Sequence, residues 1–167
     1  MGSAPVIQDG PLLLGESGAI VEYLIATRGE GRLAVRAGAP EFADYLYWFH
    51  FANGTLQPVV LQVRSLERVD PSAKNLVLHA ALARFELVFS LVEKRLGEAP
   101  YLAGPQLTAA DIMTVFSLTT MRTFKPYDLS PWPNILVYLE RIGARPAYRR
   151  AMQKAEPHMP PLLGATA

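Results

Sequence analysis

Cysteine is absent from the 167 residues. That excludes a disulfide scaffold, a thiolate-ligated metal site and a cysteine nucleophile within the chain, and it fits a reducing, cytoplasmic setting. A charge excess of either sign is also lacking: 16 Lys and Arg stand against 15 Asp and Glu. A basic surface for non-specific nucleic-acid binding is therefore not expected. Histidine is scarce. His50, His79 and His158 lie far apart and offer no metal-ligand spacing, so no metal is expected. The segment Met1 to Pro5 has neither a basic region nor an apolar one, so it does not read as a secretory signal. Long unbroken apolar runs are lacking too. The longest uncharged stretch, Tyr45 to Val63, is interrupted by His50, Asn53, Thr55, Gln57, Pro58 and Gln62. It reads as a helix buried in a domain rather than as a membrane span.

What is present is a chain that is 50% hydrophobic and 19% charged, apolar enough to bury a core. Val6-Ile7-Gln8, the turn signal Asp9-Gly10 and Leu12-Leu13-Leu14 predict a hairpin. Ser17 reads as the N-cap of a helix that Gly29 stops. Gly29 to Pro40 reads as a linker. Everything after it reads as helix. Pro40 suits a first helical position, and Phe42, Tyr45, Trp48, Phe49 and Ala52 share a face, with Tyr47 and Phe51 pointing elsewhere. Pro58 should kink that helix or end its first part. Asp70-Pro71 reads as the start of a long helix carrying Leu78, Leu82, Phe85, Phe89, Val92 and Leu96 inward, closed by Gly97. Thr108 and Asp111 form a capping box flanked by the staple pair Leu107 and Ile112. Two further helices are expected, one after Pro131-Trp132-Pro133 and a short one from near Pro146. The expected fold is mainly α: a hairpin and helix, then a helical domain. The expected units are residues 1–30, an all-helical domain over residues 40–156 and an irregular tail over residues 157–167.

Three segments in this order resemble the glutathione transferase family: Ala4 to Gly10 with Leu14 to Leu24, Tyr101 to Gly104 with Leu107 to Ile112, and Trp132 to Ile135 through Tyr148. Tyr47 to Leu56 is similar to a bacterial and fungal subgroup. The resemblance implies a C-terminal helical domain preceded by the second half of a thioredoxin-like, glutathione-binding domain. The family's opening strands and helices, and its thiol-activating Tyr, Ser or Cys, have no counterpart in these residues. The resemblance therefore implies an N-terminally truncated member with no catalytic residue in this chain and little transferase activity of its own.

The same resemblance implies that Ala4, Pro5, Glu16 and Ser17 bind glutathione. A helix N-terminus offers free amides to a carboxylate, Ser17 adds a hydroxyl and Glu16 accepts from an ammonium. The residue before Pro5 would pair its backbone with the peptide, as an added strand does. Tyr47, Phe51 and Asn53 are expected on a face toward an apolar electrophile or a second subunit. Thr108 and Asp111 are expected to be structural, and His50 a buried or interface residue. The basic residues Arg141, Arg145, Arg149, Arg150 and Lys154 read as a solvated face. Glutathione is the implied co-substrate with no cofactor, and the implied partners are a small apolar electrophile and a second copy of the chain, with no membrane. A non-catalytic helical module for protein association is the alternative.

Overall fold

The computed structural model describes residues 4–72 and 74–166; the sequence reading of Met1 to Ser3 lies outside these. Strands β1 (Val6–Asp9) and β2 (Leu12–Gly15) pair antiparallel, with Val6 opposite Gly15 and Asp9 opposite Leu12. Gly10 and Pro11 make the two-residue loop. Gly10 supplies φ +58° and Pro11 holds the next φ negative, a turn whose twist matches the strands. Helix α1 (Ser17–Arg28) follows directly. Asp9 ties it back to the hairpin by accepting from Tyr23 Oη at 2.8 Å and from Arg28 Nη2 at 2.8 Å. Arg28, and then Tyr23, hold that carboxyl below its ordinary pKa.

The remaining helices are α2 (Phe42–Phe51), α3 (Gln57–Val69), α4 (Leu76–Glu98), α5 (Ala109–Leu118), α6 (Pro133–Gly143) and α7 (Pro146–Ala155). Among the described residues no helix is long and apolar enough to cross a membrane. Helices α2 to α6 supply the core, with Leu56, Val60, Phe89, Leu118, Tyr138 and Leu139 fully buried. Phe89 sits at its aromatic centre, 4.1 Å from the Phe85 ring and 4.9 Å from Trp132 between centroids. Pairs at such distances add about 0.5–1.5 kcal/mol beyond their burial.

Several boundaries differ from the sequence expectation, each for a local reason. Pro40 lies ahead of α2, which starts at Phe42 with Glu41 as its N-cap. Asp70 ends α3 in an extended conformation instead of starting α4, and its side chain accepts from the Ser72 amide at 2.9 Å. Residues before a proline avoid the helical region. Asn75 is the N-cap of α4 and accepts from Leu78 N at 3.1 Å. Gly97 lies inside α4, where a Cβ would stand 3.0 Å from Asn134 Nδ2. The glycine is there to admit α6, whose first amides, Asn134 and Ile135, are capped by Glu93 of α4 at 2.9 and 3.0 Å. Leu82 and Tyr47 are exposed, whereas Phe51 is buried. Pro58 acts as expected, but through a widened turn: Ala52–Leu56 is π-helical between α2 and α3. Pro58 has no amide to donate to the carbonyl four residues back, so the chain loosens there rather than clashing.

Residues 157–166 are irregular in conformation, yet docked. Leu163 packs where a Cβ on Gly143 would collide, and the Leu129 amide donates to Ala165 O at 2.9 Å. The linker is also tied down: Leu33, at φ +73°, accepts from the Ala109 amide at 2.7 Å and so satisfies the first turn of α5.

Candidate functional site

A cleft of about 660 Å³ opens where the start of the hairpin and the N-terminus of α1 face the π turn and α5. Ala4, Pro5, Glu16 and Ser17 line one wall. Asn53, Gln57, Leu61, Met113 and Phe116 line the other. The structure thus brings together the four residues expected to bind glutathione, although they come from two separate stretches of backbone: the entry to β1 and the head of α1.

Ser17 is the first helical residue of α1 rather than its N-cap. Glu16 takes the cap position, with φ +68° and ψ 114°, and makes no side-chain capping hydrogen bond. Holding a non-glycine residue there costs about 1–3 kcal/mol, and such strain gathers at ligand sites. The first intrahelical bond runs from Ile20 N to Glu16 O at 2.9 Å. The amides of Ser17, Gly18 and Ala19 therefore have no acceptor within the helix, and the positive end of α1 faces the cleft. With the exposed Glu16 carboxylate beside it, the corner offers donors for an anion and an acceptor for a cation a few ångströms apart. That is the charge pattern of a zwitterionic amino-acid end. Ala4–Pro5 is a cis peptide, and both residues are exposed at the start of β1. Among the described residues β1 pairs only with β2.

The opposite wall is apolar: Leu61, Met113 and Phe116 carry no charge and Phe116 is 43% exposed. Asn53 belongs to this wall and reaches across it, its Nδ2 donating to Ser17 Oγ at 2.9 Å. The three residues expected on one apolar or subunit face are therefore split. Tyr47 and Phe51 lie in a different groove, of about 550 Å³, between α2 and α4, beside Leu46, Leu87 and Leu91. Their rings stack with centroids 5.6 Å apart. His50 lines that groove and is exposed rather than buried.

Thr108 and Asp111 lie outside the cleft's polar corner. Asp111 is fully buried and accepts from Leu102 N at 3.0 Å, Thr108 N at 2.8 Å and Tyr138 Oη at 3.1 Å. Burial pushes its carboxyl above the ordinary value, against the pull of those donors. Of the basic residues near the end, Arg149, Arg150 and Lys154 are exposed as expected, while Arg149 Nε also donates to Gly143 O at 2.8 Å and Arg141 donates to Pro100 O. Sequence reasoning missed Gln57, Met113 and Phe116 as cleft residues. The available signal was Pro58, whose lost amide predicts a loosened turn at Asn53 but not its direction.

The profile of the family described as glutathione S-transferase, C-terminal domain, matches residues 56–146. Glutathione S-transferase 3 of Zea mays is 31% identical over 96% of this chain and 74% of its own length. The disulfide-bond oxidoreductase YfcG of Escherichia coli is 30% identical over 87% of this chain and 66% of its own. The crystal structure of a glutathione S-transferase from Actinobacillus pleuropneumoniae superposes with a TM-score of 0.79 at 31% identity, covering 93% of this chain and 70% of that one. The profile match spans the buried capping box, the aromatic core and the π turn's last residue, and the relatives extend the likeness over the hairpin and α1. The chain belongs to the glutathione S-transferase family.

Proposed function

We propose that the cleft binds glutathione and presents its thiol to an apolar electrophile. The observation that carries this is the meeting of Ala4, Pro5, Glu16 and Ser17 at one cleft, under the unpaired first amides of α1. The γ-glutamyl carboxylate sits against those amides and the Ser17 hydroxyl. The ammonium of the same end faces Glu16. The cysteinyl backbone runs beside Ala4 as an added strand. The thiol then points toward Leu61, Met113 and Phe116, a wall suited to an uncharged substrate. In the transferase reaction the thiolate sulfur bonds to an electrophilic carbon, and that carbon's leaving group or π electron pair departs. Holding both partners together supplies the proximity term. The residues of this cleft bind and orient; deprotonation of the thiol is assigned to none of them.

Calorimetric titration with glutathione tests this. The chain should bind saturably, and Ser17→Ala should weaken binding about tenfold, since it removes a hydrogen bond to a charged group. A folded, helical chain that takes up no glutathione would refute the assignment.

The groove between α2 and α4 supports a second copy of the chain as partner. Leu46, Tyr47, Leu87 and Leu91 are all more than a third exposed around it, an apolar grouping that solvent-facing helices rarely carry without a partner. Sedimentation should report a dimer, and Leu87→Glu should shift it to monomer. A dimer that persists in the variant would place the interface elsewhere.

A further inference from the structure

We infer that Arg64 selects the electrophile: its guanidinium pairs with an oxyanion, a carboxylate or sulfonate, at the far end of a substrate whose middle is apolar. This rests on the glutathione reading above and deepens it, because it names the chemical class of the second substrate.

Arg64 lies on α3 one turn beyond Leu61, which lines the cleft. Residues three and four apart are neighbours on a helix face, so Gln57, Leu61, Arg64 and Arg68 follow one another along one side of α3. Helical side chains also lean toward the N-terminus of their own helix. The Arg64 side chain therefore lies back over the turn of Val60 and Leu61, toward the cleft. Val60 on that turn is fully buried, whereas Leu61 is 41% exposed and faces the open space.

Among the described residues Arg64 takes part in no ion pair, and its Nε is shut off from solvent with no hydrogen-bond partner. A buried donor left unmet is disfavoured. The residue as a whole is half-buried, so its stem is packed while its tip stays within reach. The acid nearest on the same helix, Glu67, is committed elsewhere: Lys125 Nζ stands 2.9 Å from its Oε1 and 2.7 Å from its Oε2. Arg68 adds a second positive charge one turn on, also outside those ion pairs. The one acid lining the cleft is Glu16, and it stands at the α1 corner. The cleft is thus acidic where the amino end of glutathione is placed, apolar along Leu61, Met113 and Phe116, and basic beyond them. A guanidinium held at its stem is preorganised to grip a planar oxyanion with two donors. An electrophile running outward from the thiol meets the apolar wall first and this guanidinium last.

The test is calorimetric titration of the 167-residue chain with glutathione and with two of its thioethers, S-(4-carboxybenzyl)glutathione and S-(4-nitrobenzyl)glutathione. The two substituents are nearly the same shape, and only the carboxylate is charged. Wild type should prefer the carboxybenzyl thioether about tenfold, the scale of a charge-assisted hydrogen bond at a half-buried group. Raising the salt from about 50 to 500 mM should shrink that preference, since the pair is partly open to solvent. Arg64→Gln should abolish it, and Arg64→Lys should keep about a third of it, because an ammonium carries the charge without the fork. The quantity read is the ratio of the two affinities. A purely structural role for Arg64 would weaken both thioethers alike and leave that ratio unchanged in the variants. Equal affinities in the wild type, or a preference that survives Arg64→Gln, would overturn the inference while saturable glutathione binding keeps the reading above. A wild type that binds neither glutathione nor its thioethers would overturn both.

Discussion

Asp111→Ala is expected to lower the unfolding free energy by about 4 kcal/mol, because it orphans several buried donors at once. The carboxylate is fully buried. It accepts from two backbone amides, Leu102 and Thr108, and from the hydroxyls of Thr108 and Tyr138. Every one of these neighbours donates to its carboxyl oxygens. Alanine removes the acceptor and leaves the Leu102 amide and the Tyr138 hydroxyl with no water in reach, Leu102 and Tyr138 being fully buried. Each orphan costs about 1–3 kcal/mol. Asp111→Asn keeps one acceptor oxygen but turns an NH2 toward other donors, so it should recover less than half of the loss. Urea unfolding followed by the fluorescence of the buried Trp48 and Trp132 and by circular dichroism measures both. A loss below about 1 kcal/mol in Asp111→Ala would show that the donors find new partners and that this network does not hold α4 to α6 together. Against a typical domain stability of about 5–15 kcal/mol, the expected loss would leave a measurable unfolded fraction at physiological temperature.

The same residue shows what the sequence makes legible. Thr108 and Asp111 three apart, with Leu107 before them, announce a helix start from local chemistry alone, and α5 starts there. The hairpin was equally readable from Asp9-Gly10 between short apolar runs, and Gly29 stops α1 as glycine should. Long-range partners were not readable. Nothing in the local pattern says that Asp111 also caps the Leu102 amide and the Tyr138 hydroxyl, or that Glu93 on α4 caps α6. Gly97 misled for the same reason. Glycine near the end of a helical pattern is a stop signal, yet here it answers to Asn134 on another helix. Asp70-Pro71 misled because aspartate before proline suits a helix start and a helix end alike; the extended backbone of Asp70 decides it.

At the cleft, the residues named by family likeness converge, but two physical features were out of reach of spacing. One is the conformation of Glu16: its φ of +68° moves the cap one residue earlier than serine chemistry suggests and frees the Ser17 side chain. The other is the direction of Asn53. The family likeness groups it with Tyr47 and Phe51, but the π turn inserts an extra residue and rotates everything after Phe51. A periodicity of 3.6 fails at the one place where the helix departs from it.

The buried Arg122 yields the other large effect. Its side chain is fully buried in the short 3-10 turn Thr120–Thr123, and the ion pairs among the described residues are Arg28–Asp9, Arg95–Asp44 and Lys125–Glu67, none of which includes it. Arginine stays charged in proteins, so the charge must be met by dipoles. The tail supplies them: Nη1 donates to Gly164 O at 2.8 Å and Nη2 to Ala165 O at 2.6 Å. The Tyr127 ring lies 5.6 Å away, close enough for a cation–π contact. Ending the chain at Pro161 strips those carbonyls away and also orphans the Leu129 amide, which donates to Ala165 O at 2.9 Å. The expected cost is about 3–5 kcal/mol, the scale for a buried charge that loses its partner. Arg122→Leu in the full chain should cost less, about 2 kcal/mol, because no charge remains and the partly exposed tail carbonyls can turn to water. The two changes together should then cost less than truncation alone, a coupling of about 1–3 kcal/mol. Urea unfolding of the four proteins closes this cycle. If the costs simply add, the tail stabilises the fold through Leu163 and its own packing, and Arg122 is solvated by something other than the carbonyls it faces.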